Sequence, residues 1–222
     1  MVQTNRYAKV YVHGTAYNSI TKRTFLDNGN YEIVNNIQDC QICVWTGGED
    51  INPKLYGEAP IDGTWYNPLR DKSDLQAVET AFSKDKFLVG ICRGAQLLNV
   101  IPNEGKLWQD VDNHGGLVHK SFDCLSGQWV HLNSVHHQAL RVTDEAQIIC
   151  WALESRHKKS EGLEYRRGAD TDPSKIPEKD KDIEVAWYPK TRSLCWQSHP
   201  EFGHSDTTKY FFEVLDKIYW GK

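Results

Sequence analysis

The stretch from Phe87 to Asn99 is the feature that most constrains how this chain folds. It begins with a continuous apolar run, Phe-Leu-Val-Gly-Ile, which is typical of a parallel strand buried on both faces. From Ala95 onward the residues predict a helix, and Cys92 stands at the junction. Glycines two residues before and two after Cys92 permit a sharp strand-to-helix turn, because they remove side chains that would collide. The stretch therefore predicts an α/β fold with a cysteine pushed outward at a strand's carboxyl end.

Cys92 has two interpretations from this stretch alone. Near a helix N-terminus, free backbone N–H groups and the macrodipole favour a thiolate, which makes Cys92 a candidate nucleophile. A structural cysteine buried in a tight turn would show the same pattern from Gly90 to Gly94. Partner residues elsewhere in the chain decide between the two.

Composition excludes several function classes. The 222 residues are 39% hydrophobic and 25% charged, which predicts one globular domain over residues 1–222. A net charge of −4 gives no general attraction to nucleic acid or acidic membranes. No apolar segment approaches the roughly 20 residues that span a bilayer, and the N-terminus lacks the apolar core of a signal peptide. We therefore expect a cytoplasmic protein with no nucleic-acid or membrane partner.

Cysteines and histidines raise the question of a metal site. The six cysteines lie mostly in apolar runs, which predicts free thiols, and the pair Cys40 and Cys43 has no second pair at zinc spacing. Five of the nine histidines lie between His114 and His137, but no Asp or Glu pattern beside His136 completes a set of ligands. We therefore expect no metal. Anchoring of a polar loop and contact with substrate remain as interpretations of these histidines.

Apolar and alternating runs predict the surrounding elements. A helix over residues 70–82 would place Leu75, Val78 and Phe82 on one apolar face. Ser205 or Asp206 is the predicted cap of a terminal helix that ends near residue 220. Strands are predicted at residues 8–13, 31–34, 41–45, 183–187 and 193–196, with the last two forming a hairpin.

Residues 154–182 form a charged segment that contains proline and glycine. Its apolar content is too low to build a core. We expect a long excursion here, either a mobile loop or a surface for a partner.

Two further motifs supply possible partners for Cys92. His199 and Glu201 flank a proline that disfavours helix, so in extended chain both side chains lean the same way. A carboxylate can then orient the imidazole that accepts the cysteine proton. Gly47 and Gly48 follow a predicted buried strand and expose backbone N–H groups at its carboxyl end, where a parallel sheet binds ligands.

At this point the sequence resembles the class I glutamine amidotransferases, and most closely their γ-glutamyl hydrolase (peptidase C26, γ-glutamyl-GABA hydrolase-like) branch. The resemblance extends over nearly the whole chain, with all motifs in family order. The motifs are Thr-Gly-Gly-Glu-Asp-Ile-Asn-Pro-x-Leu-Tyr-Gly at 46–57, Gly-Ile-Cys-Arg-Gly-Ala-Gln-x-Leu-Asn-Val at 90–100, Leu-x-Gln-Asp at 107–110, Asn-Ser-x-His-His-Gln at 133–138, and His-Pro-Glu at 199–201.

The resemblance implies a role for each matching residue. Cys92 would be the nucleophile, His199 the base and Glu201 its orienting acid. The backbone N–H groups of Gly48 and Arg93 would form the oxyanion hole. The substrate-binding residues would be Gly47, Gln96, His136 and His137, and no cofactor is implied.

Together these observations predict a three-layer, flavodoxin-like α/β sandwich with a mainly parallel central sheet. The predicted activity is hydrolysis of a γ-glutamyl amide through a cysteine thioester, which releases glutamate and either ammonia or an amine. One alternative is a glutaminase subunit that delivers ammonia to a separate synthase or amidoligase. Another is a non-catalytic binding module on the same fold.

Overall fold

The structure is a computed structural model that describes residues 7–167 and 177–221. Within these residues the helices are α1 (Asn18–Asn28), α2 (Pro68–Phe82), α3 (Arg93–Val100) and α4 (Ser205–Trp220). The strands are β1 (Ala8–His13), β2 (Tyr31–Ile33), β3 (Ile42–Trp45), β4 (Phe87–Ile91), β5 (Lys106–Trp108), β6 (Asp110–Val111), β7 (Gly115–Asp123), β8 (Gln128–Val135), β9 (Ala139–Arg141), β10 (Gln147–Ala152), β11 (His157–Ser160), β12 (Leu163–Arg166), β13 (Asp182–Tyr188) and β14 (Ser193–Trp196).

One large sheet organises these elements. Its strand order is β2-β1-β3-β4-β14-β13-β10-β7-β8, with β9 pairing β13 and β5. The first five strands of that order are parallel, and β13, β10, β7 and β8 extend the sheet with antiparallel pairs. The mainly parallel centre and the predicted hairpin of residues 183–196 are both confirmed.

Helices cover both faces of the parallel strands, as expected for three layers. On one face Phe25 of α1 and Phe211 of α4 are fully buried against Val44 and Val89. On the other face Ala77 of α2 and Leu97 of α3 pack against the alternate strand residues. Because side chains alternate along a strand, continuously apolar β3 and β4 can serve both layers. No helix in the described part of the chain is long and apolar enough to cross a membrane.

Helix α2 differs from its prediction. Phe82 is 51% exposed, while the buried face carries Arg70, Asp71 and Asp74 beside Ala77 and Val78. The predicted face is therefore right at Val78 and wrong at Phe82, while Leu75 is partly buried. Charged side chains that find buried partners replace apolar ones on the inner side of this helix. The terminal helix also begins differently, since the side chain of His204 accepts from the Thr207 N–H at 3.3 Å.

Much of the charged segment at 154–182 is ordered. Strands β11 and β12 form a hairpin that pairs with β6 in a small separate sheet. Lys158 is completely buried, and its Nζ lies 2.6 Å from Oδ1 of Asp182. The expectation of a loop is therefore wrong for residues 157–166, because composition did not reveal this buried ion pair. Residues 168–176 lie outside the described residues.

Candidate active site

Cys92 occupies a sharp turn between β4 and α3. Its backbone has φ 51° and ψ −108°, a conformation that L-residues rarely adopt. A Cβ at Gly90 would overlap the carbonyl of Gly94, and one at Gly94 would overlap the backbone of Trp45. The N–H of Cys92 donates to the carbonyl of Trp196 at 2.7 Å, which ties the turn to β14. The two glycines thus permit the turn, and the hydrogen bond holds it in place.

His199 lies between Cys92 and Glu201. Its Nδ1 is 2.7 Å from Oε1 of Glu201, and Cys92 is the other neighbour that interacts with the imidazole. Both His199 and Glu201 are buried. The side-chain amide of Asn133 fixes the backbone of His199, accepting from its N–H at 2.8 Å and donating to its carbonyl at 2.7 Å. The structure therefore brings the three predicted side chains into one chain of contacts.

The pKa of His199 reflects these neighbours. Burial alone lowers the pKa of an imidazole, but the negative charge and hydrogen bond of Cys92, together with Glu201, raise the pKa of His199 to about 10. The imidazole is therefore protonated at neutral pH. A protonated imidazole beside a sulfur atom stabilises the thiolate form of that sulfur.

The loop after β3 approaches the same imidazole. A Cβ at Gly47 would lie only 2.8 Å from Cε1 of His199, so the position requires glycine. Gly48 has φ +145°, and a Cβ there would overlap the guanidinium of Arg70. Arg70 holds this loop by donating to the carbonyl of Gly47 at 2.8 Å and to Glu49 at 3.0 Å. Backbone groups of the loop are thereby kept beside the elbow.

Comparison with known proteins identifies the family. The family model described as Peptidase C26 matches residues 26–156, which include the elbow and more than half of the chain. The chain belongs to the peptidase C26 family. His199 and Glu201 lie beyond the matched residues, so their placement beside Cys92 comes from the geometry alone.

Curated relatives agree over part of their length. A glutamine amidotransferase-like protein of Lactococcus lactis subsp. cremoris, a YvdE homolog, is 34% identical over 115 residues, which cover 48% of this chain and 54% of that protein. The glutamine amidotransferase-like protein YvdE of Lactococcus lactis subsp. lactis (strain IL1403) is 46% identical over 70 residues, or 31% of this chain and 29% of that one. The chain thus spans about half or less of the length of these relatives.

Solved structures share the fold. A glutamine amidotransferase from Thermotoga maritima gives a TM-score of 0.58 at 11% identity, covering 96% of this chain and 83% of that one. PurLQS from Thermotoga maritima gives 0.60 at 14% identity, covering 96% and 98%. The predicted resemblance to class I glutamine amidotransferases is therefore confirmed in family and fold.

A buried group of charged side chains supports this C26 elbow from beneath. We call Arg70, Asp71, Asp74 and Arg93 the ion-pair cluster. Arg93 is 1% exposed, and its guanidinium donates to Asp71 at 2.6 Å and to Asp74. Asp74 also lies 3.0 Å from Nε2 of His13, and the neighbouring cations hold its pKa below the usual range despite burial. Sequence reasoning missed this cluster because it treated α2 as an apolar amphipathic helix.

The other predicted binding residues occupy different surroundings. Gln96 is buried on α3, and its amide donates to the carbonyl of Gln138 at 3.4 Å. His136 is buried, and its Nδ1 lies 2.8 Å from the same carbonyl. His137 is half-exposed and lies 3.1 Å from Asp50, whose hydrogen bond raises the pKa of the imidazole. The structure therefore separates the two adjacent histidines into a buried one and an accessible one.

Two aromatic residues beside the C26 site gave no catalytic signal in the sequence. Phe202 stacks on the ring of His199 with centroids 4.2 Å apart and an interplanar angle of 8°. Tyr17 lies edge-on to both rings, at 5.7 Å from His199 and 5.0 Å from Phe202. Both are partly exposed, so they form the solvent side of the imidazole. Their contacts restrict the orientation of His199.

Proposed function

We propose that this protein hydrolyses a γ-glutamyl amide through a thioester on Cys92. The observation that supports this most is the position of the His199 imidazole between Cys92 and Glu201. A thiolate, a proton donor and an orienting carboxylate are the groups that nucleophilic amide cleavage requires. Membership of the peptidase C26 family agrees with amide hydrolysis.

The first half of the reaction forms the thioester. The Cys92 thiolate attacks the side-chain carbonyl carbon, and a C–S bond forms as the carbonyl oxygen becomes negative. Backbone N–H groups of Gly48 and Arg93 stabilise that oxyanion in this scheme. His199 then gives its proton to the leaving nitrogen as the C–N bond breaks, so ammonia or an amine departs neutral.

The second half releases glutamate. Neutral His199 takes a proton from water, whose oxygen attacks the thioester carbon, and the C–S bond breaks to regenerate the thiolate. Glu201 keeps Nδ1 of the imidazole occupied throughout, so that Nε2 handles the transferred proton. Gly47, Gln96 and His137 are assigned to the glutamyl part of the substrate, with buried His136 supporting its loop.

Replacing the nucleophile tests the proposal. Cys92→Ala should lower the rate of γ-glutamyl-p-nitroanilide hydrolysis by several orders of magnitude while preserving the circular dichroism spectrum, because nucleophile and base act as a unit. Cys124→Ala is the matched control, since that thiol is exposed in the turn between β7 and β8. Hydrolysis by Cys92→Ala at the wild-type rate would overturn the assignment. An inactive wild-type protein would favour the non-catalytic binding module.

Delivery of ammonia to a separate synthase is the second candidate function. It is supported by fold similarity, since a GMP synthase subunit from Thermoplasma acidophilum gives a TM-score of 0.58 at 14% identity over 95% of this chain and 94% of that one. Turnover of glutamine and of γ-glutamyl amines by the purified protein distinguishes the two. A stand-alone hydrolase turns over γ-glutamyl amines unaided, whereas a glutaminase subunit needs a synthase or amidoligase for full activity on glutamine.

A further inference from the structure

A second buried cluster lies in the antiparallel part of the sheet. It consists of His114, His119, His136 and Glu184, which we call the histidine cluster. His114 precedes β7, His119 lies on β7, His136 follows β8, and Glu184 lies on β13. Each is at most 6% exposed, and Glu184 is completely buried. The acidic member comes from a strand far along the chain, which is why the neighbourhood of the histidines in sequence showed no ligand set.

The polar atoms of this cluster converge on one carboxylate oxygen. Oε1 of Glu184 lies 3.4 Å from Nε2 of His119, 3.7 Å from Nδ1 of His114 and 3.8 Å from Nε2 of His136. Among the described residues, neither Nε2 of His119 and His136 nor either oxygen of Glu184 has a hydrogen-bond partner. A buried polar group left without a partner typically costs roughly 1 to 3 kcal/mol.

The remaining ring nitrogens are already engaged. Nδ1 of His136 lies 2.8 Å from the carbonyl of Gln138, so that nitrogen carries the proton and Nε2 presents a lone pair to Glu184. Nδ1 of His119 lies 3.1 Å from Oγ of Ser121, and Nε2 of His114 lies 3.3 Å from Asp182. Imidazoles that ligate metals are held in this way, by an acceptor on the nitrogen that does not bind the ion.

The charged neighbour of Glu184 is shared with a second carboxylate, since the ring of His114 lies 3.7 Å from Oε1 of Glu184 and 3.3 Å from Oδ2 of Asp182. Lys158 is also buried in this region, but its Nζ pairs with Oδ1 of Asp182 at 2.6 Å and with two backbone carbonyls. Oγ of Ser134 donates to the carbonyl of His114 at 2.9 Å and therefore accepts from Nδ1 of His114 at 3.0 Å. Nδ1 of His114 would have to release this proton to ligate an ion. Thus a carboxylate oxygen and the Nε2 atoms of His119 and His136 lie close together without a hydrogen-bond partner among the described residues.

We propose that the histidine cluster binds a divalent transition metal of the zinc type, with His114, His119 and Glu184 as ligands and His136 as the fourth. Ligand atoms at the corners of a tetrahedron with bonds of about 2.0 to 2.1 Å are roughly 3.3 Å apart. The separations from Glu184 are 3.4 to 3.8 Å, and the ligand atoms of His114, His119 and Glu184 all lie within 4.8 Å of one another, so binding requires these side chains to move closer together. Imidazole nitrogen and carboxylate oxygen are both ordinary ligands of zinc.

The bound ion would connect the antiparallel strands to the candidate active site. The Gln138 carbonyl that engages His136 also accepts from Gln96. The backbone carbonyl of Glu184 accepts from the N–H of Gln197, two residues before His199. The ion therefore stabilises the strands that position the base, without touching the substrate.

Metal loading of the full chain tests the proposal. The protein is unfolded in chelator, refolded with Zn²⁺ or with Co²⁺, desalted, and analysed by plasma mass spectrometry and visible absorption. We expect one equivalent of metal, a higher Tm for the loaded protein, and a tetrahedral Co²⁺ spectrum without the ultraviolet thiolate band. Cys92→Ala and Cys40→Ala should bind as the wild type does, which excludes the thiols as ligands.

Variants locate the ion within the cluster. Glu184→Gln should weaken Zn²⁺ binding more than about 100-fold, since loss of even an outer partner of a ligand costs 10- to 100-fold. His119→Gln serves as the second variant if Glu184→Gln does not fold. His131→Asn is the matched control, because His131 is exposed on β8 and should leave binding unchanged. Wild-type protein that keeps no metal after refolding, or binding that survives both cluster variants, would overturn the proposal.

Discussion

The ion-pair cluster and the histidine cluster are both buried polar groups, but they differ in how charge is matched. In the ion-pair cluster Arg93 lies between two aspartates, and Asp74 also meets Arg70 at 3.5 Å and His13 at 3.0 Å. In the histidine cluster Glu184 faces three imidazoles with no hydrogen bond to either of its oxygens within the described residues. Opposite charges complete the first region internally, whereas in the second the ion that we propose would supply the opposite charge.

The difference separates two uses of buried polar residues. A cluster that is complete in the polypeptide contributes to positioning, and here it fixes the elbow and the glycine loop at 46–49. A buried cluster with unpaired acceptors can bind a cation favourably, because its acceptor atoms have already been removed from water on folding. The Cys92, His199 and Glu201 site belongs to the first kind, since both neighbours of its imidazole come from the polypeptide.

The largest expected effect is on kcat, and it comes from replacing Glu201 or His199. Glu201→Gln should lower kcat for γ-glutamyl-p-nitroanilide on the order of 10⁴-fold, and His199→Ala should lower it further, because the carboxylate orients the base without moving protons itself. Steady-state kinetics on one substrate give both values. A greater loss in Glu201→Gln than in His199→Ala would contradict these roles.

The next largest effect is on stability. Asp74→Ala should reduce the free energy of unfolding by about 3 kcal/mol or more, because it leaves Arg93 and Arg70 with fewer anionic partners in a buried site. Urea denaturation at pH 7 measures the loss. Asp85→Ala removes an exposed partner of Arg192 and should cost less than about 1 kcal/mol. Equal losses in the two variants would show that burial adds nothing to the pairing.

The stability difference between the wild type and Asp74→Ala should also depend on pH. The pKa of Asp74 is lowered in the folded state, so its stabilisation is present above the ordinary aspartate pKa of about 4 and is lost as pH falls through the folded value. The stability difference between wild type and Asp74→Ala should therefore shrink below about pH 4. A difference that grows on acidification would mean that the carboxyl is protonated in the fold.

Replacing Cys92 by alanine should change the pKa of His199. In the wild type the pKa of His199 is raised to about 10, with Cys92 the largest favourable influence. Cys92→Ala removes that negative charge, so the pKa of His199 should fall, while Glu201 continues to favour the imidazolium. Nuclear magnetic resonance of the imidazole Cε1–H gives both values. An unchanged pKa would show that the cysteine is a neutral thiol.

The smallest effect on stability is expected for replacement of Glu184. In metal-free protein, Glu184→Gln should change the free energy of unfolding by less than about 1 kcal/mol, because no partner of the carboxylate is lost. Under saturating Zn²⁺ only the wild type should gain stability, since binding to the folded state alone shifts the unfolding equilibrium. Urea denaturation in chelator and in Zn²⁺ makes the comparison. A loss in chelator as large as that of Asp74→Ala would mean that Glu184 has a protein partner.

Local patterns predicted the features that depend on neighbouring residues. The apolar run before Cys92 and the flanking glycines predicted the elbow, and the spacing of His199 and Glu201 predicted their contact. These features need only strand periodicity and turn sterics.

Features that depend on distant pairing were missed. The inner face of α2 is charged because Arg93 arrives from another element, and Lys158 is buried because Asp182 meets it. The histidine cluster joins residues 114 and 184, whose proximity follows from the order of β7, β10 and β13 in the sheet. Nothing in the residues next to these side chains indicates such partners.

The pairing of β13 with β14 also restricts how this protein can be altered. Val185 pairs with Trp196 and Glu184 with Gln197, so this one antiparallel ladder carries both the carboxylate of the histidine cluster and the approach to His199. A slip of one residue would turn every side chain of a strand to the opposite face. A single insertion or deletion inside either strand would therefore displace Glu184 of the histidine cluster and His199 together. Anyone grafting this hairpin onto another scaffold would have to transfer both strands as an indivisible unit.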